Sequence, residues 1–210
     1  MEFGVDEAGK GPVLGSMFAA AVRAPREALP DGIDDSKRLS GERREALADR
    51  LRADDRIEVG LAEITPERID GGNMNDLTVA AHASAAASVV RPGDAGHCDA
   101  GDVDADRFGG RVAARIDAEV AVEATHGADA SDPLVGAASI VAKSERERHV
   151  ADLADRFGEI GSGYPSDPRT RAFLRRYFEE HGEFPPKTRR SWSTCNSIRA
   201  ASEQAGLGEF

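Results

Sequence analysis

Lysine is nearly missing from this chain of 210 residues: Lys10, Lys37, Lys143 and Lys187 stand against 23 arginines, and 38 acidic residues bring the net charge to −11. That balance excludes binding through the broad basic field that proteins handling nucleic acid usually carry. It suits a cytoplasm of very high salt, where the Debye length shrinks to ~3 Å or less and hydrated carboxylates keep a protein dissolved. The composition therefore points to an extreme halophile. Cysteine is also scarce. Cys98 and Cys195 lie far apart without zinc-ligand spacing, which excludes a disulfide framework, and Cys98 reads as a small residue of a buried strand. No apolar run approaches the ~20 residues that a membrane helix requires. Met1 leads straight into a charged strand instead of a secretory leader, so a cytoplasmic protein is expected.

What is present is periodic. Apolar residues make up 40% of the chain, enough for one sizeable core. Phe3 and Val5 alternate with Glu2 and Gly4, the period of a half-buried strand that runs into Asp6. A second strand is expected over Val13–Val22, and a third from Ile57, Val59 and Leu61. Further strands are expected through His97 and Cys98 to Asp99, and from Val120, Val122 and Ala124. Between them Ser40 caps a helix with Leu47 and Leu51 inward. Asn73 or Asn75 caps a long alanine-rich helix that ends near Val90, and another helix starts near Pro133 with Val150, Leu153, Ala154 and Phe157 on one face. Asp167-Pro168 opens a further helix with Phe173, Leu174, Tyr177 and Phe178 inward. Five strands interleaved with helices predict an α/β domain with a mixed sheet.

The richest stretch is Asp6-Glu7-Ala8-Gly9-Lys10-Gly11-Pro12, where two carboxylates end a strand and a glycine-flanked cation turns the chain. Neighbouring strand residues point to opposite faces, so Asp6 and Glu7 do not both reach one site by direction alone. Either one side chain reaches round or the Glu7 backbone offers its carbonyl. Asp6, Glu7, Asp99 and Asp129 all fall at strand ends or just beyond, where open α/β sheets bind ligands. Four gathered carboxylates repel one another unless cations compensate them, and hard oxygen donors select Mg²⁺ or Mn²⁺. Two such ions activate a water and stabilise the leaving oxygen of an in-line displacement, which makes phosphodiester hydrolysis the natural reaction.

These segments resemble ribonuclease HII, the type 2 ribonuclease H of archaea and bacteria. The resemblance covers nearly the whole chain. It rests on the Asp6–Pro12 run, Asp35-Ser36-Lys37, Cys98-Asp99-Ala100-Gly101-Asp102-Val103, Ala128-Asp129-Ala130, the Ala137–Lys143 run and the Gly161–Pro168 run, in the family's order. It implies a ribonuclease H-like five-stranded mixed sheet flanked by helices, a catalytic domain over 1–160, and a helical C-terminal substrate-binding extension over 161–210 packed on it. It also implies a monomeric endoribonuclease. The enzyme cuts the RNA strand of RNA–DNA hybrids and cuts 5′ of ribonucleotides embedded in duplex DNA, leaving 3′-hydroxyl and 5′-phosphate ends. Asp6, Glu7, Asp99 and Asp129 then hold two Mg²⁺ or Mn²⁺ ions. The backbone around Gly9, Lys10 and Gly11 reads the ribose 2′-OH, and Tyr164 packs on the sugar of the following deoxynucleotide. Lys37, Ser139 and Lys143 are expected on phosphates, Ser139 and Lys143 sharing one helical face. Arg169, Arg171, Arg175 and Arg176, with Lys187, Arg189 and Arg190, are candidates to extend the duplex track. Lys10 stands where many relatives have arginine, which keeps the charge and loses the bidentate fork.

Three features remain. Asp102, Asp104 and Asp106 imitate the opening of a calcium loop, but Arg107 replaces the required glycine and Ala113 the closing glutamate, so no calcium site is expected. His126 and His149 have no spaced partners. At the C-terminus Gln204, Leu207 and Phe210 reproduce the spacing of peptides that dock on the sliding clamp; the alternative is an ordinary frayed tail.

Overall fold

A computed structural model describes residues 1–33 and 39–207. Five strands form one mixed sheet: β1 (Glu2–Ala8), β2 (Met17–Arg23), β3 (Glu58–Ile64), β4 (Ala95–Asp99) and β5 (Ala121–Thr125), in the spatial order β3-β2-β1-β4-β5. β1 and β3 both run antiparallel to β2. β4 lies parallel to β1, and β5 parallel to β4. Parallel neighbours need a crossover. Helices α2 (Pro66–Asp70) and α3 (Met74–Ala87) carry the chain from β3 to β4, and α4 (Ala105–Ala113) carries it from β4 to β5. Helix α1 (Gly41–Ala53) joins β2 to β3, and α5 (Pro133–Phe157), α6 (Pro168–His181) and α7 (Ser193–Leu207) follow the sheet.

Side-chain alternation assigns each face its cover. Phe3 and Val5 pack with Val79, Ala83 and Ala86 of α3 and with Phe108 and Val112 of α4. On the other face Ala8, Ala20 and Val22 meet Leu47 and Leu51 of α1 and Leu134, Ala138, Ile140 and Val141 of α5. The far half of α5 leaves the sheet, and Leu153 joins Val13, Leu14, Ile160, Phe173, Leu174, Phe184, Cys195 and Ile198 in a third cluster. Cys98 and Cys195 are both buried free thiols. Caps lie where short polar side chains precede the helices: Ser40 accepts from the Arg43 amide, and Asn73, of the two candidates, accepts from those of Asn75 and Asp76.

α5 crosses β1 so closely that a Cβ on Gly4 would lie 2.2 Å from the Leu134 carbonyl carbon. Backbone against backbone has no soft side chain to yield, so Gly4→Ala is expected to cost at least ~2–3 kcal/mol by overpacking. Urea unfolding checks this; an unchanged midpoint would mean that the helix rides higher on the sheet.

Two sequence expectations need correction. The second strand starts at Met17, not Val13, because Gly15 turns the chain at φ +94°, and Val13 and Leu14 go to the C-terminal cluster instead. In β3 the buried face is built from Gly60 and Ile64, while Leu61 is exposed, since this is an edge strand and α3 seats on its small residues. The acidic run also forms a helix, α4, with Phe108 and Val112 inward: Asp104 caps it, and Asp102 pairs with Arg107. Lys37 and the rest of Asp35-Ser36-Lys37 lie outside the described residues, as does Phe210.

Candidate active site

The ends of β1 and β4 bring two acids together. Asp6 and Asp99 stand on adjacent parallel strands and point to the α5 face, while Asp129 enters from the short 3₁₀ turn Ala128–Ala130 that precedes α5. One carboxylate oxygen from each of Asp6, Asp99 and Asp129 lies within 4.8 Å of the other two. Local bonds fix the trio. Asp99 Oδ1 accepts from the Gly127 amide at 2.7 Å and the Ala128 amide at 3.4 Å, and Gly127 makes the required turn at φ +70°. Asp6 Oδ1 accepts from the Glu7 amide at 2.7 Å.

Burial, then the charge of Glu7, pushes the Asp6 carboxyl up to about 7; the nearby Ser139 hydroxyl and the His82 charge oppose this, and Asp99 reinforces it. Acids crowded in this way are compensated by an added cation, and a set of hard carboxylate oxygens suits a divalent one. The site's residues therefore fit the metal expected from the sequence.

Glu7 goes the other way. It shares the α3 face with Phe3 and Val5, and its Oε2 lies 2.7 Å from Nε2 of His82, a fully buried residue of α3. Burial would raise the Glu7 carboxyl, but the hydrogen bond and charge of His82, with Lys10, bring it below its usual range. Burial likewise opposes a charge on His82, yet the nearby Cys98 and the bond to Glu7 raise it to about 10. Three of the four expected acids thus converge, and the fourth faces a buried histidine beside them.

A cavity of about 400 Å³ opens next to this group, lined by Glu7, Gly9, Lys10, Gly11, Lys143 and Tyr164, with Arg44 and Arg146. Lys10 Nζ bonds the Gly101 carbonyl just after Asp99, and Lys143 Nζ lies 3.9 Å from Asp129. Tyr164 is 38% exposed, its ring close to Gly11 and under the Arg146 guanidinium, 4.7 Å from its centroid. Ser139 is not on this wall. It is fully buried near Asp6, so the expectation that it meets a phosphate is not met on this surface. Arg189, expected along an outer track, is fully buried too. His97, also unforeseen, bonds Asp132 at 3.0 Å and Thr125 at 2.8 Å, tying both ends of the segment that carries Asp129.

A mixed sheet in this order, with acids meeting at the ends of its central parallel strands, defines the class: a ribonuclease H-like hydrolase. The ribonuclease HII family model matches residues 3–195. Ribonuclease HII of Natronomonas pharaonis is 66% identical over 99% of this chain and 98% of its own length, and that of Haloarcula marismortui is 58% identical over the whole of both. The crystal structure of ribonuclease H2 from Pyrococcus horikoshii superposes with TM-score 0.88 at 38% identity, covering 95% of this chain and 97% of that one. Ribonuclease HII from Archaeoglobus fulgidus, solved as a complex with PCNA, gives 0.83 at 35%, covering 95% and 97%. The chain belongs to the ribonuclease HII family.

Proposed function

We propose that this protein hydrolyses the RNA strand of RNA–DNA hybrids and cuts duplex DNA 5′ of an embedded ribonucleotide, in a reaction that depends on Mg²⁺ or Mn²⁺. The observation that carries the reading is the shared wall of one cavity: the Gly9-Lys10-Gly11 turn and Tyr164 stand side by side next to the gathered acids. Glycines let a backbone approach a sugar, and the 2′-OH is the group that tells RNA from DNA. An aromatic ring adjoining that turn supplies a flat surface for the next sugar. Asp6, Asp99 and Asp129 are the side chains to hold the cations, with Glu7 completing the set through its second oxygen or its carbonyl. When bound, such ions supply the charge that activates water and stabilises the leaving oxygen. The chain's own part is to aim the acids and to hold phosphates with Lys10 and Lys143. Lys37 belongs with them in this reading, and the helices after residue 160 form the platform for the rest of the duplex.

A duplex with one ribonucleotide, compared with the same duplex in DNA only, tests this with Mn²⁺ present. Cleavage is expected at the 5′ side of the ribonucleotide alone, and equal cutting of both duplexes removes the reading. Chelation should stop the reaction, and added Mn²⁺ should raise the melting temperature.

A second reading concerns the C-terminus. The Archaeoglobus relative was solved on PCNA, and here Gln204 lies exposed on α7, in the spacing that continues to Leu207 and Phe210. We infer that this tail docks on a sliding clamp. Removing residues 204–210 should abolish the calorimetric signal with the clamp; unaltered affinity would leave the tail without that role.

A further inference from the structure

Among the described residues Arg189 is the largest fully buried side chain, and no carboxylate forms an ion pair with it. Its guanidinium donates to three backbone carbonyls instead: Nε to Gly15 at 3.0 Å, Nη1 to Lys10 at 2.7 Å, and Nη2 to Gly9. Trp192, whose ring centroid lies 5.2 Å from that guanidinium, turns its Nε1 to the Gly11 carbonyl at 3.4 Å. Three consecutive carbonyls of the turn are therefore held by one short segment nearly 180 residues away in sequence. The segment is itself tied down. The Arg189 amide donates to Val13, the Gly15 amide to Lys187, and the Val13 amide to Gly163 next to Tyr164, each at 2.8 Å. Lys187 is the described non-glycine residue with positive φ, +67°. Local strain of that kind persists where surrounding structure over-determines it, and functional sites collect it.

A trans peptide is planar, so its carbonyl and the next amide point in opposite directions. Drawing the Gly9 and Lys10 carbonyls inward therefore turns the Lys10 and Gly11 amides away from Arg189, and neither amide has a protein acceptor among the described residues. A buried arginine without an acid is an expensive way to gain stability, because apolar side chains of similar volume fill space without desolvating a charge. Burial accordingly pulls the Arg189 pKa down to about 10.

We propose that Arg189 and Trp192 are positioning residues for substrate discrimination: Arg189 pins the Gly9 and Lys10 carbonyls so that the amides after them face the ribose 2′-oxygen, and Trp192 holds the Gly11 carbonyl, which fixes the end of the turn before Pro12. The inference rests on the reading of that turn as the sugar-recognising element. Its test compares kcat/KM on a duplex with one ribonucleotide and on the same duplex with a 2′-fluoro nucleotide there, for wild type, Arg189→Lys and Trp192→Phe. A lysine ammonium does not serve three carbonyls in one plane, and phenylalanine keeps the ring while deleting the donor. The preference for the 2′-OH is expected to fall about 10-fold in Arg189→Lys and about 3-fold in Trp192→Phe, in line with the loss of one to two weak hydrogen bonds. A role in folding alone lowers both rates in parallel and leaves the ratio unchanged, which overturns the proposal. Should Arg189→Lys fail to fold, Trp192→Phe decides by the same ratio. A wild type without preference removes the reading of the turn itself, whatever the variants do.

Discussion

Asp99→Asn is expected to lower hydrolysis of a hybrid by at least ~10³-fold, the scale that follows from losing several kcal/mol of charge stabilisation in a cation-assisted displacement. The fold should survive. Asn keeps an oxygen that accepts from the Gly127 and Ala128 amides as Asp99 does, so the turn carrying Asp129 stays in place. What disappears is one negative charge beside Asp6, and the carboxyl of Asp6 is already raised to about 7, chiefly by burial and the charge of Glu7, with Asp99 adding to it. Near neutral pH without added metal the variant should therefore melt at an equal or higher temperature than the wild type. The sign follows from linkage: a carboxyl that is harder to ionise in the folded state costs stability as pH rises through 3.8 towards 7, and relieving it returns part of that cost. Adding Mn²⁺ should stabilise the wild type more than Asp99→Asn, because ligand binding stabilises the state that binds. Rate measurements paired with melting curves with and without Mn²⁺ check both halves. Activity retained on a hybrid would remove Asp99 from the chemistry, and a collapsed melting temperature would make it a structural acid.

The sequence made most of the site legible because acids at strand ends are a strong signal. Period two in β1 places Phe3, Val5 and Glu7 on one face and Gly4, Asp6 and Ala8 on the other, and that alternation separates Asp6 from Glu7 in the structure. The glycine turn, Lys143 and Tyr164 came from runs that resemble a family, and one cavity gathers them. Burial was harder to read. Arg189 sits in a basic run with Lys187 and Arg190, and nothing local marks the one side chain that turns inward to carbonyls. Ser139 shares a helical face with Lys143, but α5 presses its first half onto the sheet, so a four-residue step along one face passes from buried to half-exposed. His82 had a usable signal. It stands three residues after Val79 and four before Ala86, inside the apolar stripe of α3, and a polar residue in such a stripe needs a buried partner.

That partner makes His82→Leu the substitution with the largest expected effect on stability. His82 is completely buried, and its contact with Glu7 at 2.7 Å lies in the core between α3 and β1. Deleting one member of a buried ion pair leaves the other charged without compensation, at a cost of roughly 3–5 kcal/mol. High salt does not soften this, since screening acts weakly on a pair removed from solvent. The pH dependence distinguishes an ion pair from lost packing. Burial is outweighed by the nearby Cys98 and the bond to Glu7, which raise His82 from 6.5 to about 10, so its contribution is complete below pH 6.5 and fades as pH rises through 10. Glu7 is lowered from 4.5, so its contribution is complete above that value and is lost as pH falls through the depressed one. The gap between wild type and His82→Leu should therefore be widest between pH 4.5 and 6.5 and narrow towards pH 10. Glu7→Gln combined with His82→Leu should recover much of the loss, because no charge is then left behind. Urea unfolding at constant high salt, run for the four proteins at about pH 5.5 and about pH 9.5, measures the coupling and its pH dependence. If His82→Leu costs the same at both pH values and the double variant is no better, the pair is held by shape and carries no charge, and Glu7 owes its orientation to packing alone.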